Sequence, residues 1–337
     1  MFRLRASFAL AITLGVAAPL VLTGCGSSNA ASPTTSAAAS SASAEPSSAS
    51  ASAAPSETAV VVTVNGFDVT ADPALTAMLP EQFKGGLRIV TSAPYPPFEI
   101  FDENQQLAGL DIDLGNMIAA KLGIKATWES IDYNGVIPAI QAGKYDMVLA
   151  SIGDTPEREK AIDFVNYSKQ GQILLVVAGN PEGITGLESM CGKTLAVEAG
   201  NVTPEYFAPL QKKCAADGKP EMTVKELPKT SDALLAVKSG GAAAQYLGVA
   251  TAADLMSSAE GKGYEIVTPA GKPFGYIPRY VGAGLPKNQP ELRGAVQAAL
   301  EALLADGTLK DLYTKYGQEQ ILTDKITVNT VEDIPLL

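Results

Sequence analysis

At 337 residues the chain exceeds the roughly 250–300 at which a single hydrophobic core stops growing, so two lobes or domains are expected. Apolar residues make up 46% and charged residues 18%, and 25 Lys and Arg against 36 Asp and Glu leave a formal net charge of −11, which argues against nucleic acid because phosphate binding needs a basic face. With no histidine and three cysteines, Ser-His and Cys-His nucleophilic chemistry and histidine-ligated zinc are excluded, and neither a metal nor a cofactor is expected.

Residues 1–24 place Arg3 and Arg5 ahead of the apolar run Phe8 to Leu22, which Gly15 and Pro19 interrupt. This is the length of a secretory signal and short for a bilayer span. The run ends in Leu22-Thr23-Gly24-Cys25, which resembles a bacterial lipobox, in which Cys25 is lipidated and becomes the new N-terminus; an ordinary secretory signal with an incidental cysteine is the alternative. Loss of residues 1–24 leaves 23 basic against 36 acidic residues, formally −13. The expected location is the cell envelope, on the extracytoplasmic face of the cell membrane, held by a lipid anchor. Between Cys25 and residue 58 the chain uses only Gly, Ser, Asn, Ala, Pro and Thr, apart from Glu45 and Glu57, and so offers nothing to seed a core. It reads as a disordered stalk whose role is reach. Cys191 and Cys214 then remain as a pair, and in an exported chain they are expected to form a disulfide; a redox or metal role would want a C-x-x-C spacing that is absent.

From Leu87 onward short apolar runs alternate with helical patterns, as in α/β architecture. Leu87–Thr91 reads as a strand. Asp113 is expected to cap a helix with Leu114, Met117, Ile118 and Leu122 on one stripe and Gly123 as its stop. Strands at Ile124–Ser130 and Tyr145–Ser151 flank a short helix marked by Val136, Ile137 and Ile140. Thr155-Pro156-Glu157-Arg158 opens another helix, with Thr155 at the cap and Pro156 at the first position. A second set follows, with strands near Thr194–Val197, Thr223–Glu226, Ala243–Tyr246 and Tyr264–Val267, and helices opening at Thr203-Pro204 and at Ser231, the latter ending at Gly240. Pro290–Asp306 is an amphipathic helix with Leu292, Val296, Leu300 and Leu303 on its stripe, stopped by Gly307. Two α/β lobes fit this order better than one long sheet.

Several segments occur in a fixed order: Ser92-Ala93-Pro94-Tyr95-Pro96-Pro97-Phe98-Glu99, Gly109-Leu110-Asp111-Ile112-Asp113-Leu114, Val136-Ile137-Pro138-Ala139-Ile140 with Gly143-Lys144-Tyr145-Asp146, Thr155-Pro156-Glu157-Arg158, Asp163-Phe164-Val165, Asp306-Gly307-Thr308-Leu309 and Lys315-Tyr316-Gly317. Over roughly residues 75–320 the chain resembles the family 3 solute-binding proteins, the substrate receptors of polar amino acid ABC importers. The resemblance implies the type II periplasmic-binding-protein (Venus-flytrap) fold: two α/β lobes joined by two hinge strands, with ligand in the cleft between them. Lobe 1 is placed at 86–175 and 280–322 and lobe 2 at 176–279, after an N-terminal extension at 59–85 and before a C-terminal tail at 323–337. The implied partners are a small carboxylate-bearing solute and the transmembrane subunits of an ABC permease, and a monomer is expected.

Arg158 is singled out by physics as well as by resemblance. A guanidinium in the first turn of a helix adds a fork of donors to the unsatisfied N–H groups there, a receptacle for a carboxylate. By resemblance it binds the ligand α-carboxylate, helped by the backbone near Gly153, Asn201 and Val202. Tyr95 and Tyr133 match aromatic positions that sandwich the ligand, and would otherwise be packing residues. Ser92, Ala150 and Ser151 match contact positions. In two places the chain departs from the family: Gly153 stands where a Thr or Ser is usual, and Gly248 is aligned with an Asp that holds the α-ammonium. Glu198 lies where some members place a polar contact, and is either a cleft acid or a solvated strand-end carboxylate. The missing ammonium site leaves three readings: Glu198 receives a cationic or amino group, the ligand lacks an amine, or the alignment slips and brings Asp254 into the cleft. The resemblance also implies two alternatives to transport, a dehydratase of cyclic acids with Glu198 as general acid and a ligand-sensing module.

Overall fold

The computed structural model describes residues 60–201, 204–268, 271–272 and 275–331. The signal segment, Cys25, the stalk and Val202 lie outside the described residues.

The described chain opens with a hairpin, β1 (Val61–Val64) and β2 (Phe67–Thr70), turned at Asn65-Gly66 with φ of 46° and 92°. Asn-Gly supplies the two left-handed residues that a tight hairpin turn needs. α1 (Pro73–Met78) follows, capped by Asp72, whose side chain accepts from the Ala74 N–H. The extension placed at 59–85 is therefore folded; its hairpin packs on α2 (Leu110–Lys121), and α1 packs on α8 (Pro290–Ala305).

Lobe 1 is built on β3 (Leu87–Thr91), a small ribbon β4 (Ile100–Phe101) and β5 (Leu107–Ala108), α2, β6 (Ala126–Ser130), α3 (Val136–Gln141), β7 (Met147–Val148) and α4 (Pro156–Glu159). β8 (Ile162–Val177) then carries the chain into the second lobe, made of β9 (Thr194–Glu198), α5 (Ala208–Ala216), β10 (Thr223–Leu227), α6 (Thr230–Lys238), β11 (Ala244–Gly248), α7 (Val249–Ser257) and β12 (Tyr264–Val267). β13 (Tyr276–Pro286) returns to lobe 1, which α8 and α9 (Thr308–Lys315) complete; in the segment expected as a C-terminal tail, β14 (Leu322–Val328) is a strand paired with β8.

The strands form one hydrogen-bonded path in the order β10-β9-β11-β8-β13-β7-β3-β6, with β12 and β14 also paired to β8. β8 explains how two lobes share one path. Its 162–172 stretch pairs with β13 antiparallel, while its 172–177 stretch pairs with β11 and β12. Within each lobe β3 pairs in parallel with β6 and β7, and β9 with β10 and β11, as βαβ connections require.

The Leu292, Val296, Leu300 and Leu303 stripe of α8 is fully buried, as are Leu114, Met117 and Ile118 of α2, each contributing about 1.5–3 kcal/mol by leaving water. Several boundaries differ from expectation, among them the strand expected at Ile124–Ser130, which starts at Ala126. α2 begins four residues early, because Gly109 and not Asp113 is its cap: a Cβ there would stand 2.4 Å from the Phe98 carbonyl oxygen, so only glycine fits. Asp113 sits inside the first turn instead, accepting from Asn65 Nδ2 at 2.6 Å and Tyr316 Oη at 2.9 Å. The expected strand Tyr145–Ser151 shrinks to Met147–Val148, since the chain leaves the ladder after Leu149 to line the cleft. The helix expected from Thr203-Pro204 is a 3-10 turn, Pro204–Phe207, running into α5. Cys191 and Cys214 are joined, with Cα atoms 5.5 Å apart, tying the segment before β9 to α5 in lobe 2.

Candidate functional site

A cavity between the lobes is lined by Ser92, Tyr95, Glu99, Tyr133, Ala150, Ser151, Gly153 and Arg158 from lobe 1, Glu198 and Asn201 from lobe 2, and Gln170, Gln172, Ile277, Arg279 and Val281 from the hinge strands. About 510 Å³ of atom-free space lies among them, counted to the mouth. Nine of the ten residues expected at a site thus meet in one place, and the tenth, Val202, lies outside the described residues.

Local chain chemistry sets each position. Ser92 and Tyr95 follow β3 in a loop with cis peptides at Ala93-Pro94 and Pro96-Pro97, closed by hydrogen bonds between Tyr95 and Glu99, N–H to carbonyl at 2.6 and 3.1 Å. This loop turns Glu99 inward. Thr155 caps α4 by accepting from the Arg158 N–H at 3.2 Å, and Pro156 takes the first position. Segment 150–154 is fixed to β13 through Asp154 N–H to the Tyr280 carbonyl at 2.8 Å and Gly282 N–H to the Ile152 carbonyl at 3.2 Å. Glu198 ends β9, and the turn after it presents Gly200 and Asn201.

Arg158 spans the cleft. Its Nη1 donates to the Gly153 carbonyl at 2.8 Å, and its Nη2 donates to the lobe 2 carbonyls of Gly200 at 2.7 Å and Asn201 at 3.2 Å. The guanidinium carbon stands 5.7 Å from the centre of the Tyr133 ring, in cation–π range. Arg279 from β13 lies 5.5 Å from the Tyr206 ring centre and approaches Gly153 beside Arg158. Gln170 donates from Nε2 to Ser151 Oγ at 2.8 Å and accepts from the Ala250 N–H at 3.4 Å, so a hinge residue touches both lobes.

Two carboxyl groups, Glu198 and Glu99, line the cavity, and a third, Asp111, is bonded to its lining residue Ser151. Glu198 is 5% exposed and accepts from Thr230 Oγ1 at 3.1 Å; burial pushes it up to about 7, Thr230 opposes the shift and Asp132 adds to it. It is not a solvated strand-end carboxylate. Glu99 is 1% exposed and is pushed well above the usual range by burial and by the charge of Asp111. Asp111, wholly buried in the first turn of α2, accepts from the Ser151 N–H at 2.7 Å and Tyr167 Oη at 3.3 Å; burial raises it to about 6 against those bonds. Asp254 lies on α7 and does not line the cavity.

The two departures have different geometry. A Cβ at Gly153 would make ordinary contacts of 3.5 Å to Arg279 Cδ and 3.6 Å to Arg158 Nη1. A Cβ at Gly248 would stand 2.5 Å from Tyr95 Oη, so the tyrosine hydroxyl already fills the space where a longer side chain would begin.

Sequence reasoning passed over Glu99, Gln170, Gln172 and Arg279. Glu99 left a signal, a lone acid among Pro97, Phe98, Ile100 and Phe101, and Arg279 a lone cation in the run Tyr276 to Leu285. The glutamines became site residues only through their place on β8.

Residues 87–319 match the bacterial extracellular solute-binding proteins, family 3. The chain is 27% identical over 230 residues to the "L-arginine-binding protein" of Pseudomonas aeruginosa, an alignment covering 68% of this chain and 87% of that protein. It is 30% identical over 249 residues to the "Lysine/arginine/ornithine-binding periplasmic protein" of Escherichia coli, covering 74% and 92%. Among solved structures, "An ancestral arginine-binding protein bound to arginine" is similar with a TM-score of 0.60 and 34% identity, over 68% of this chain and 97% of that one.

Proposed function

Because the chain belongs to the bacterial extracellular solute-binding proteins of family 3, we propose that it captures an amino acid with a cationic side chain and hands it to an ABC permease. One observation carries the ligand class: the Arg158 guanidinium and the carboxyl groups of Glu99 and Glu198 line a single cavity, where a ligand carrying both an anionic and a cationic group would find a partner for each. The names of the relatives, which specify arginine, lysine and ornithine, support the same class.

In this reading Arg158 takes the α-carboxylate, exchanging part of its bonding to the Gly200 and Asn201 carbonyls for a bidentate pair, with the 153–158 backbone beside it. Tyr95 and Tyr133 hold the aliphatic part, and Ser92, Ala150, Ser151 and Asn201 complete the contacts. Glu198 approaches from lobe 2 and pairs with the α-ammonium, replacing the acid that Gly248 lacks. Lobe 1 comprises 86–175 and 280–322, lobe 2 comprises 176–279, and closure about β8 and β13 is what the permease reads. The mature protein is a lipid-anchored monomer on the extracytoplasmic face, tethered at Cys25 by the stalk.

The test is a thermal-shift screen of the twenty amino acids and their deaminated analogues. L-arginine, L-lysine or L-ornithine should raise the melting temperature most; no shift with any of them would remove the ligand class. Glu198 favours one second reading, because a buried carboxyl pushed up to about 7 is suited to general-acid work. Carbon dioxide release from prephenate or arogenate would establish that activity.

A further inference from the structure

We propose that the chain just after β14 forms a clip, Asn329-Thr330, that positions Arg158 for the ligand by holding Asp154. The clip lies beyond the 87–319 family match, and its role rests on the reading of Arg158 as the partner of the α-carboxylate.

The clip is rooted in lobe 1. β14 pairs with β8 at Thr327 beside Asn166 and Val328 beside Val165, and Thr323 Oγ1 donates to the Tyr167 carbonyl at 2.8 Å. Asn329 then turns with φ of 47°, a left-handed conformation that asparagine adopts more readily than most residues. Its N–H donates to the Phe164 carbonyl at 3.1 Å, and its Oδ1 accepts from the Phe164 N–H at 2.8 Å. Its Nδ2 donates to Asp163 Oδ1 at 3.0 Å, on a carboxylate that also receives Lys287 Nζ at 2.9 Å and Arg293 Nη1 of α8 at 2.5 Å. Asn329 is thus tied to β8 and, through Asp163, to α8. From this fixed turn the Thr330 N–H donates to Asp154 Oδ2 at 3.0 Å.

Asp154 sits between the two residues that hold Arg158. It is buried, its Oδ2 also accepts from Asn166 Nδ2 at 2.8 Å, and its N–H donates to the Tyr280 carbonyl at 2.8 Å, so the carboxyl is gripped by β8 and by the clip. On one side of it the Gly153 carbonyl accepts from Arg158 Nη1 at 2.8 Å; on the other, Thr155 Oγ1 accepts from the Arg158 N–H at 3.2 Å. A shift of Asp154 therefore moves both the anchor of the guanidinium and the cap of α4. Held still, the segment presents a guanidinium that is already placed, which lowers the ordering cost when a carboxylate arrives. Asn329 and Thr330 touch no ligand in this account. They are positioning residues.

Asn329→Gly removes the side-chain bonds while leaving a residue that accepts a φ of 47°, so the chain should fold. Calorimetry should show L-arginine binding weakened about 2- to 10-fold, the scale of one lost hydrogen bond. The preference for L-arginine over L-argininamide, which lacks the carboxylate charge, should fall by a similar factor. Asp154→Ala should weaken binding at least as much, and adding Asn329→Gly to it should change affinity no further, because the clip acts through Asp154. Unchanged affinity in Asn329→Gly, an unchanged preference between the two compounds, or losses that add would overturn the proposal, since a clip that only stabilises the fold gives those results. If no amino acid binds, the functional reading falls on its own, and hydrogen exchange of the unliganded protein tests the clip. Amides of residues 150–158 should exchange faster in Asn329→Gly while those of β3 and α2 keep wild-type rates. Equal exchange at 150–158 in the two proteins contradicts it.

Discussion

The two walls of the cleft are built differently. Lobe 1 offers a largely finished surface, with Asp111 bonded to Ser151 and Tyr167, Arg158 to Gly153, and Glu99 buried beside them. Lobe 2 offers a single acid, Glu198, bonded to Thr230, and a turn of backbone carbonyls. The lobes differ in support as well. Lobe 1 is wrapped by elements outside the family match, the β1–β2 hairpin on α2 and β14 on β8, whereas lobe 2 is stapled by Cys191–Cys214. Under the proposed function this is a division of labour, in which a pre-assembled wall selects the ligand and a smaller one closes on it.

The sharpest way to break this comparison is Arg158→Ala. Removing one partner of a desolvated ion pair costs about 2–5 kcal/mol, so arginine binding should fall by that amount in calorimetry. Arg158→Lys should also weaken it, because an ammonium lacks the planar fork. Wild-type affinity in either variant would mean that the carboxylate goes elsewhere, with Arg279 the next candidate. The second test addresses support: Cys191→Ala with Cys214→Ala opens a loop whose closure is worth about 3 kcal/mol. Denaturant unfolding should lose stability on that scale, with hydrogen exchange rising in β9, β10 and α5 and unchanged in α2 and α8.

Smaller effects sharpen the contact between the walls. Gly248→Ala drives a methyl group onto Tyr95 Oη and should cost about 1–3 kcal/mol of binding or stability, and Tyr95→Phe in the same chain should recover part of it. Glu198 provides the pH signature. It keeps its proton to about 7 when folded and to about 4.5 when unfolded, so the folded state binds more protons across that interval. Stability therefore falls as pH rises from about 4.5 to 7 and levels above it. Glu198→Gln should remove about 1–3 kcal/mol of that fall, read as the difference between the two pH–stability curves.

Much of this was legible in the sequence, for identifiable reasons. Helical stripes such as Leu292 to Leu303, stops such as Gly123, Gly240 and Gly307, and the Thr155-Pro156 start are local signals, and the elements stand where they point. Asp113 misled because an acid in a first turn and an acid at a cap look alike in one dimension, while Gly109 caps through a close approach to Phe98 that spacing does not reveal. β8 and β13 were missed as continuous strands, since hinge strands serve two lobes and alternate partners along their length. The site residues drawn from motifs converge, but the burial of Glu99 in the cavity wall arises only once the loop after β3 is folded against the lobe. Gly248 read as a missing acid, and only the folded chain shows Tyr95 occupying its place.

The most direct test is a crystal structure of the protein with L-arginine. The account predicts the α-carboxylate on the Arg158 guanidinium and the 153–158 backbone, the α-ammonium at Glu198, and the side-chain guanidinium against Glu99. An arginine bound in the reverse sense, with its carboxylate at Arg279 or its guanidinium away from Glu99, would contradict it.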